Sequence, residues 1–339
     1  MLLVLKLSAG EEERAALKAR LDATGAVYRV ENHGGREVWS LHGSVPPIDE
    51  CAGLPGVERA LLPGDGYLLA SRALHPDPTE LKLGNTIVGG KMFLLAAGPC
   101  AVESKEQMEI CAKAAKAAGA AVLRGGSFKP RTSPYSFQGL GAEGLMIHRK
   151  AADAHGLLMM SEVLDRQDLP AVGEIADILQ VGSRNMQNFP LLKELGKQAK
   201  PVLLKRGLAA TREEFLLAAE YVLAGGNSRV MLCERGVRSF DPALRHTLDL
   251  GSVVLLKQMT HLPVLVDPSH AAGRRELVLP MARAAAAAGA DGLMLEIHPD
   301  PARALSDGPQ ALLPRELMAL KADLERILPV AGKSLGEES

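Results

Sequence analysis

From residue 92 onward the sequence repeats one unit eight times: a short apolar run, then a stretch of helical pattern. The runs are MFLLAAG (92–98), AVLRG (121–125), LLMMSEV (157–163), ILQVG (178–182), PVLLKR (201–206), RVMLCE (229–234), PVLVD (263–267) and GLMLEI (292–297). Runs this short, apolar on both faces and bounded by turn residues, read as parallel strands covered by helices. The alanine-rich ELVLPMARAAAAAGA is low in complexity, but alanine is the best helix former, so it reads as a helix. Eight β–α units over about 235 residues fit a closed (β/α)8 barrel. An open doubly wound sheet is the alternative, and the even size of the units favours closure.

The segment before the repeats has a different order. LLVLKL, then a helix over 10–25 with acids in its first turn, then AVYRVE and REVWSLH joined by an N-H-G-G turn, a short helix over 47–54, and VERALL give βαββαβ. This is the ferredoxin-like pattern. YLLAS (67–71) is expected to continue the fourth strand. The expected organisation is a small α+β domain over 1–75, a linker and short hairpin over 76–91, the barrel over 92–328 and a frayed tail over 329–339.

Composition excludes several classes. The net charge is −1 and aromatics are 3%, which argues against a nucleic-acid surface, an anionic-membrane surface and a base-stacking platform. The four cysteines (Cys51, Cys100, Cys111, Cys233) form no CxxC pair and no disulfide-like spacing. With no signal peptide and no long apolar span, the expected location is the reducing cytoplasm. Cys111 and Cys233 fall in a helix and a strand and read as core.

A barrel places reactive groups at the carboxyl ends of its strands. In order, those ends carry Cys100, Arg124, Glu162, Arg184, Lys205, Glu234 with Arg235, Asp267 with His270, and Glu296. Arg124, Lys129, Arg131, Arg184, Lys205 and Arg235 gather cations at one rim. Two like charges about 6 Å apart repel by roughly 2.8 kcal/mol at an effective dielectric of about 20. Glu162 and Glu234 neutralise only part of this, so the site is expected to bind more than one anionic group, with phosphates the best match to the arginine forks and the Gly125-Gly126 pair. Cys100, His270, Glu296 and Asp307 offer a thiolate, an imidazole and two carboxylates near the junction of the first and eighth strands. That mixed set suits one divalent first-row transition metal, among manganese, iron, cobalt and zinc. Lys205 reads as a phosphate-binding lysine in preference to a Schiff-base lysine, and Asp267 and His298 as outer partners of the ligands.

GPCAVES, LRGGSFKPRTSPYSFQGLG, LQVGSRNMQN, PVLLKRG, LCERGVRSFD, LVDPSH and LEIHPDP stand here in the order seen in 3-deoxy-D-arabino-heptulosonate 7-phosphate synthases. The chain resembles the shorter bacterial-type branch with an N-terminal ACT-like domain. The resemblance implies condensation of phosphoenolpyruvate with erythrose 4-phosphate, releasing phosphate, at the start of aromatic amino-acid biosynthesis. It implies that Cys100, His270, Glu296 and Asp307 bind the metal, with Cys100 required as a thiolate. Arg124, Lys129, Arg184, Lys205 and Arg235 would hold phosphoenolpyruvate, and Arg131 and Thr132 the phosphate of erythrose 4-phosphate. Lys129 and Glu162 would move protons. It also implies a homotetramer, and a tyrosine or phenylalanine effector on the small domain, where Arg29 and Glu31 bring charges late in the second strand. Three rivals are weighed against this: the sister synthase for arabinose 5-phosphate, a Schiff-base aldolase using Lys205, and a non-catalytic sensor of phosphorylated ligands. KPRTS at 129–133 favours the four-carbon sugar over the sister reaction.

Overall fold

The structure is a computed structural model that describes residues 1–33, 36–62, 66–131 and 133–335. The chain divides into two compact units, Met1–Pro76 and Asp77–Ser339.

In the first unit β1 (Leu2–Leu5), α1 (Glu11–Thr24), β2 (Ala26–His33), β3 (Arg36–Gly43), α2 (Ile48–Ala52) and β4 (Val57–Leu61) follow in chain order. The strands form one antiparallel sheet in the order β2-β3-β1-β4, the ferredoxin-like arrangement. Glu11, Glu12 and Glu13 sit at the positive end of α1, and Gly25 ends it in the left-handed region. Leu17 and Leu21 of α1 pack on Leu3, Leu5, Trp39 and Leu41. The opposite sheet face (Leu2, Val4, Val38) is covered by Leu74 with Leu61, Leu68 and Leu69. YLLAS is therefore not an extension of β4. It enters a turn, with Ser71 N–H bonded to Leu68 O, because its leucines are needed over the sheet and not in it.

The second unit opens with a hairpin, β5 (Leu81–Leu83) and β6 (Thr86–Val88). The repeats follow: β7 (Met92–Gly98), α3 (Lys105–Ala117), β8 (Val122–Arg124), α4 (Gly141–Ala154), β9 (Leu158–Glu162), α5 (Leu169–Ile175), β10 (Ile178–Val181), α6 (Phe189–Leu195), β11 (Val202–Lys205), α7 (Arg212–Ala224), β12 (Val230–Glu234), α8 (Leu250–Met259), β13 (Val264–Val266), α9 (Pro268–Ala272), α10 (Arg275–Ala287), β14 (Gly292–Glu296) and α11 (Pro314–Ile327). The eight strands β7 to β14 pair in sequence and in parallel, and β14 returns to β7 with Gly292 opposite Leu94 and Glu296 opposite Gly98. The open-sheet alternative is thereby excluded. Leu94, Ala96, Val122, Met160, Ile178, Leu203, Met231, Cys233, Leu265 and Met294 fill the interior. Leu81, Leu83 and Val88 of the hairpin join that cluster and seal the amino-terminal end.

The end of the chain is not wholly frayed. Ser334–Leu335 form a short strand, β15, alongside Met92 and Phe93 of β7. Lys333 Nζ anchors it, donating to Gly90 O and to the buried Asp291 Oδ1, both at 2.8 Å. Among the described residues no helix is long and apolar enough to cross a membrane.

Candidate active site

Barrel closure brings the residues after β7 and β14 together. Ligating atoms of Cys100, His270, Glu296 and Asp307 all lie within 4.8 Å of one another. His270 sits on α9, where Asp267 both caps the helix and fixes the ring. Asp267 Oδ1 accepts from His270 N–H at 2.9 Å and Oδ2 lies 2.6 Å from Nδ1. With Nδ1 engaged there, Nε2 turns inward, 3.2 Å from Glu296 Oε1 and 3.7 Å from Asp307 Oδ2. Glu296 is held on its other oxygen by Gln310 Nε2 at 2.5 Å and on its backbone N–H by Ser269 Oγ at 3.0 Å. Asp307 has φ 53°, the one non-glycine residue with positive φ among those described. Such strain persists only where surrounding contacts hold it.

The donor chemistry fits a divalent transition metal. Burial, then the charge of Glu296, pushes the Cys100 thiol up to about 12. Its Sγ nevertheless lies 3.2 Å from Lys129 Nζ and 3.1 Å from Ser306 Oγ, a setting that stabilises a thiolate once positive charge arrives. Burial keeps His270 below its ordinary value, which favours the neutral imidazole that a metal requires. Burial opposes ionisation of Asp307, but His270 and Arg245 beside it win and hold the carboxyl well below the usual range. Sulfur, nitrogen and oxygen donors at one point, two of them carboxylate, match a first-row divalent ion better than calcium or magnesium.

Beside these four lies a cavity of about 290 Å³, and Arg124, Lys129, Arg131, Arg184, Lys205 and Arg235 all line it. Arg124, Lys129, Lys205 and Arg235 are each less than a tenth exposed. Arg124 Nη1 donates to Glu296 Oε1 at 3.1 Å and Pro99 O at 2.8 Å, while its Nε has no partner. Arg235 Nε is likewise buried without a partner. Orphaned guanidinium nitrogens in a cavity are donors in want of an acceptor. Lys205 Nζ pairs with Asp267 Oδ2 at 2.5 Å. Burial pulls Lys129 down, but Cys100 and Glu162 outweigh it, so the ammonium is favoured. Arg184 extends from the turn after β10 and is exposed, and Arg131 Nη1 bonds Ser306 Oγ at 2.5 Å. Thr132 lies outside the described residues. Two glycines make room. A Cβ on Gly182 would sit 2.0 Å from Glu162 Oε1, and one on Gly126 2.7 Å from Lys129 Cδ.

Two expectations change. Glu234 does not face the rim cations: its Oε2 pairs with Arg206 at 2.7 Å and its Oε1 accepts from Gly236 N–H at 2.7 Å. The carboxylates among the cations are instead Asp267, which pairs with Lys205, Glu296, which pairs with Arg124, and Glu162 on the cavity wall. An ion pair is also the reverse of the apolar or cation-rich setting that activates a Schiff-base lysine, which weighs against Lys205 in that role. His298 lies 3.3 Å from Glu103 and touches none of the four metal-site residues by hydrogen bond. Sequence reasoning missed Gln180, Arg245, His246 and Ser306 on the cavity wall, and Gln310 behind Glu296. The readable signal for Arg245 and His246 was the length of the loop from 235 to 249, since long loops at this end of a barrel carry function.

Comparisons with known proteins bear on the family of the chain. A profile described as "DAHP synthetase I family" matches residues 78–327. A Thermotoga maritima protein named phospho-2-dehydro-3-deoxyheptonate aldolase is 46% identical over 314 residues, covering 92% of this chain and 93% of its own. A crystal structure of the Thermotoga maritima protein of that name superposes with a TM-score of 0.78 at 43% identity, covering 98% of both chains. A truncated form of 3-deoxy-D-arabino-heptulosonate 7-phosphate synthase from the same organism gives a TM-score of 0.75 at 45% identity, covering 79% of this chain and 99% of its own. A 2-dehydro-3-deoxyphosphooctonate aldolase from Acidithiobacillus ferrooxidans is 34% identical over 241 residues, 65% of this chain and 83% of its own.

Proposed function

The chain belongs to the DAHP synthetase I family, and from that premise we propose how its residues divide the work. The protein condenses phosphoenolpyruvate with D-erythrose 4-phosphate and water, giving 3-deoxy-D-arabino-heptulosonate 7-phosphate and phosphate, the first step of the shikimate pathway. The observation that carries the site assignment is the convergence of four ligating atoms within 4.8 Å beside a cavity walled by buried cations.

Arg124, Arg184, Lys205 and Arg235 hold the carboxylate and phosphate of phosphoenolpyruvate, with Lys129 at its reacting end. The unpartnered Nε atoms of Arg124 and Arg235 support this, since an anion supplies the acceptors they lack. Arg131 and Thr132 take the phosphate of erythrose 4-phosphate. Cys100, His270, Glu296 and Asp307 bind one divalent transition metal. When bound, that ion supplies Lewis-acid polarisation of the aldehyde carbonyl. The nucleophile is C3 of phosphoenolpyruvate, so no side chain needs activation. A C–C bond forms from C3 to the aldehyde carbon, water adds at C2, and the C2–O bond to phosphate breaks. Lys129 Nζ lies 3.2 Å from Cys100 Sγ, where it can protonate the new alkoxide. Glu162, which also lines the cavity, positions the water and takes its proton. The ferredoxin-like unit is the regulatory part, taking tyrosine or phenylalanine. Tyr28 stacked on Trp39 at 4.9 Å makes that tryptophan a usable reporter. The assembly is a homotetramer in the cytoplasm.

The test is phosphate release from phosphoenolpyruvate with erythrose 4-phosphate or arabinose 5-phosphate, before and after EDTA and manganese. Release with the four-carbon sugar, abolished by EDTA and restored by manganese, is expected. Preference for the five-carbon sugar would overturn the reading of KPRTS, and EDTA-resistant turnover would overturn the metal assignment.

A further inference from the structure

Arg245 and His246, late in the loop after β12, reach Asp307, Gln310, Arg235 and the backbone of α9 from one side. Arg245 Nη1 donates to Asp307 Oδ1 at 3.1 Å and to Gln310 Oε1 at 2.8 Å. Gln310 passes the contact on, its Nε2 donating to Glu296 Oε2 at 2.5 Å. His246 N–H bonds Ala271 O at 2.9 Å, one residue beyond His270 on α9. His246 Nδ1 lies 3.1 Å from Arg235 Nη1. Nδ1 also lies 3.3 Å from His270 O; the arginine contact is the shorter and a guanidinium cannot accept, so Nδ1 is assigned as its acceptor. The fit is close: a Cβ on Gly273, which ends α9, would stand 2.6 Å from Arg245 Cβ.

We propose that Arg245 and His246 form a positioning strap that assembles the metal ligands and the substrate arginine as one unit. This rests on the assignment of the metal and phosphoenolpyruvate sites above. Its logic is local. Asp307, Glu296 and His270 come from three separate segments, and Asp307 holds a strained backbone. An aspartate at positive φ is held there most firmly when its side chain is tied. Arg245 ties it and, through Gln310, ties Glu296 in the same stroke. His246 sets α9 by its backbone and Arg235 by its ring. Arg245 and His246 thus act through other residues, and each arm has its own readout. The arginine arm sets metal affinity. The histidine arm sets the affinity for phosphoenolpyruvate even when no metal is bound.

The side chain of Arg245 is 33% exposed, so its removal opens no hole in the core. Manganese binding to the full-length, metal-stripped protein is followed by the resonance of the free ion, and phosphoenolpyruvate binding to that protein by calorimetry. Arg245→Ala and the milder Arg245→Gln are each expected to weaken manganese binding by about tenfold to a hundredfold. Both should weaken metal-free phosphoenolpyruvate binding less than His246→Leu does, since Arg245 is one of several cations on the cavity wall and does not hold Arg235 in place. His246→Leu is expected to weaken metal-free phosphoenolpyruvate binding by about tenfold, with His246→Asn restoring most of it through its amide oxygen. Cys100→Ala separates the two levels of the reading. If it binds manganese like the parent, the metal assignment itself is wrong. If it loses manganese while both Arg245 variants keep parental affinity, the strap alone is overturned. Parental phosphoenolpyruvate affinity in His246→Leu overturns the second arm.

Discussion

One oxygen of Asp267 accepts from Lys205 at 2.5 Å and from His270 at 2.6 Å, in a position with no solvent exposure. Burial opposes its charge, but His270 and Lys205 together hold the carboxyl well below its usual range. Asp267→Asn keeps the shape and removes the charge. It should weaken metal affinity by about tenfold to a hundredfold and raise the KM for phosphoenolpyruvate, read by metal titration and initial rates. His148 gives a second single-residue prediction. It is fully buried on α4, its Nε2 lies 3.0 Å from Leu123 O, and burial lowers it to about 4. A histidine lowered in the folded state takes up protons more readily when unfolded. Its neutral form therefore costs nothing above the unfolded value of about 6.5, and stability falls as pH drops from there toward 4. Between pH 7 and pH 5 the loss from this residue is about 2 kcal/mol. Urea titrations should show that slope reduced by about that amount in His148→Leu, relative to the parent over the same range.

At the scale of elements, the strands were legible because each is buried on both faces and so reads as an apolar run. All eight fall within the segments marked out by sequence. The rim residues were legible for a related reason: a polar side chain that ends such a run has little structural cause to be there. Pairing was not legible. Glu234 and Asp267 look alike as acids at strand ends, and only the packing of neighbouring strands decides that Arg206 claims one and Lys205 the other. Arg245 and His246 sit eleven and twelve residues past the last residue of β12, with no local motif, so only the returning loop shows them. YLLAS misled because leucines that cover a sheet resemble leucines within one. The tail misled because β15 is two residues long and depends on Lys333. Lys333→Met removes that anchor from Asp291, which keeps its 2.5 Å pair with Lys257. It should lower stability by about 2 kcal/mol in urea titrations and leave kcat unchanged, since the tail lies at the end of the barrel away from the site.

For the whole molecule, the division into two units separates chemistry from its proposed control. Every residue of the metal and cation sets lies in the second unit. Removing residues 1–75 should therefore leave turnover within about twofold, while inhibition by tyrosine or phenylalanine disappears. Rates measured against effector concentration check this, and an unchanged inhibition curve would remove the regulatory role from the small unit.

The hairpin that seals the barrel has a consequence for traffic. With Leu81, Leu83 and Val88 closing the far end, everything enters and leaves by one door. Arg124 and Lys205 stand deep, each 3% exposed, while Arg184 stands in the open at the mouth. Such a vessel works as a queue: what binds deepest arrives first and departs last. Enzyme preloaded with labelled phosphoenolpyruvate, then mixed with erythrose 4-phosphate and excess unlabelled phosphoenolpyruvate, should carry its label into product. Preloading the sugar phosphate instead should slow the first turnover, because the guest at the door bars the one meant for the back of the room.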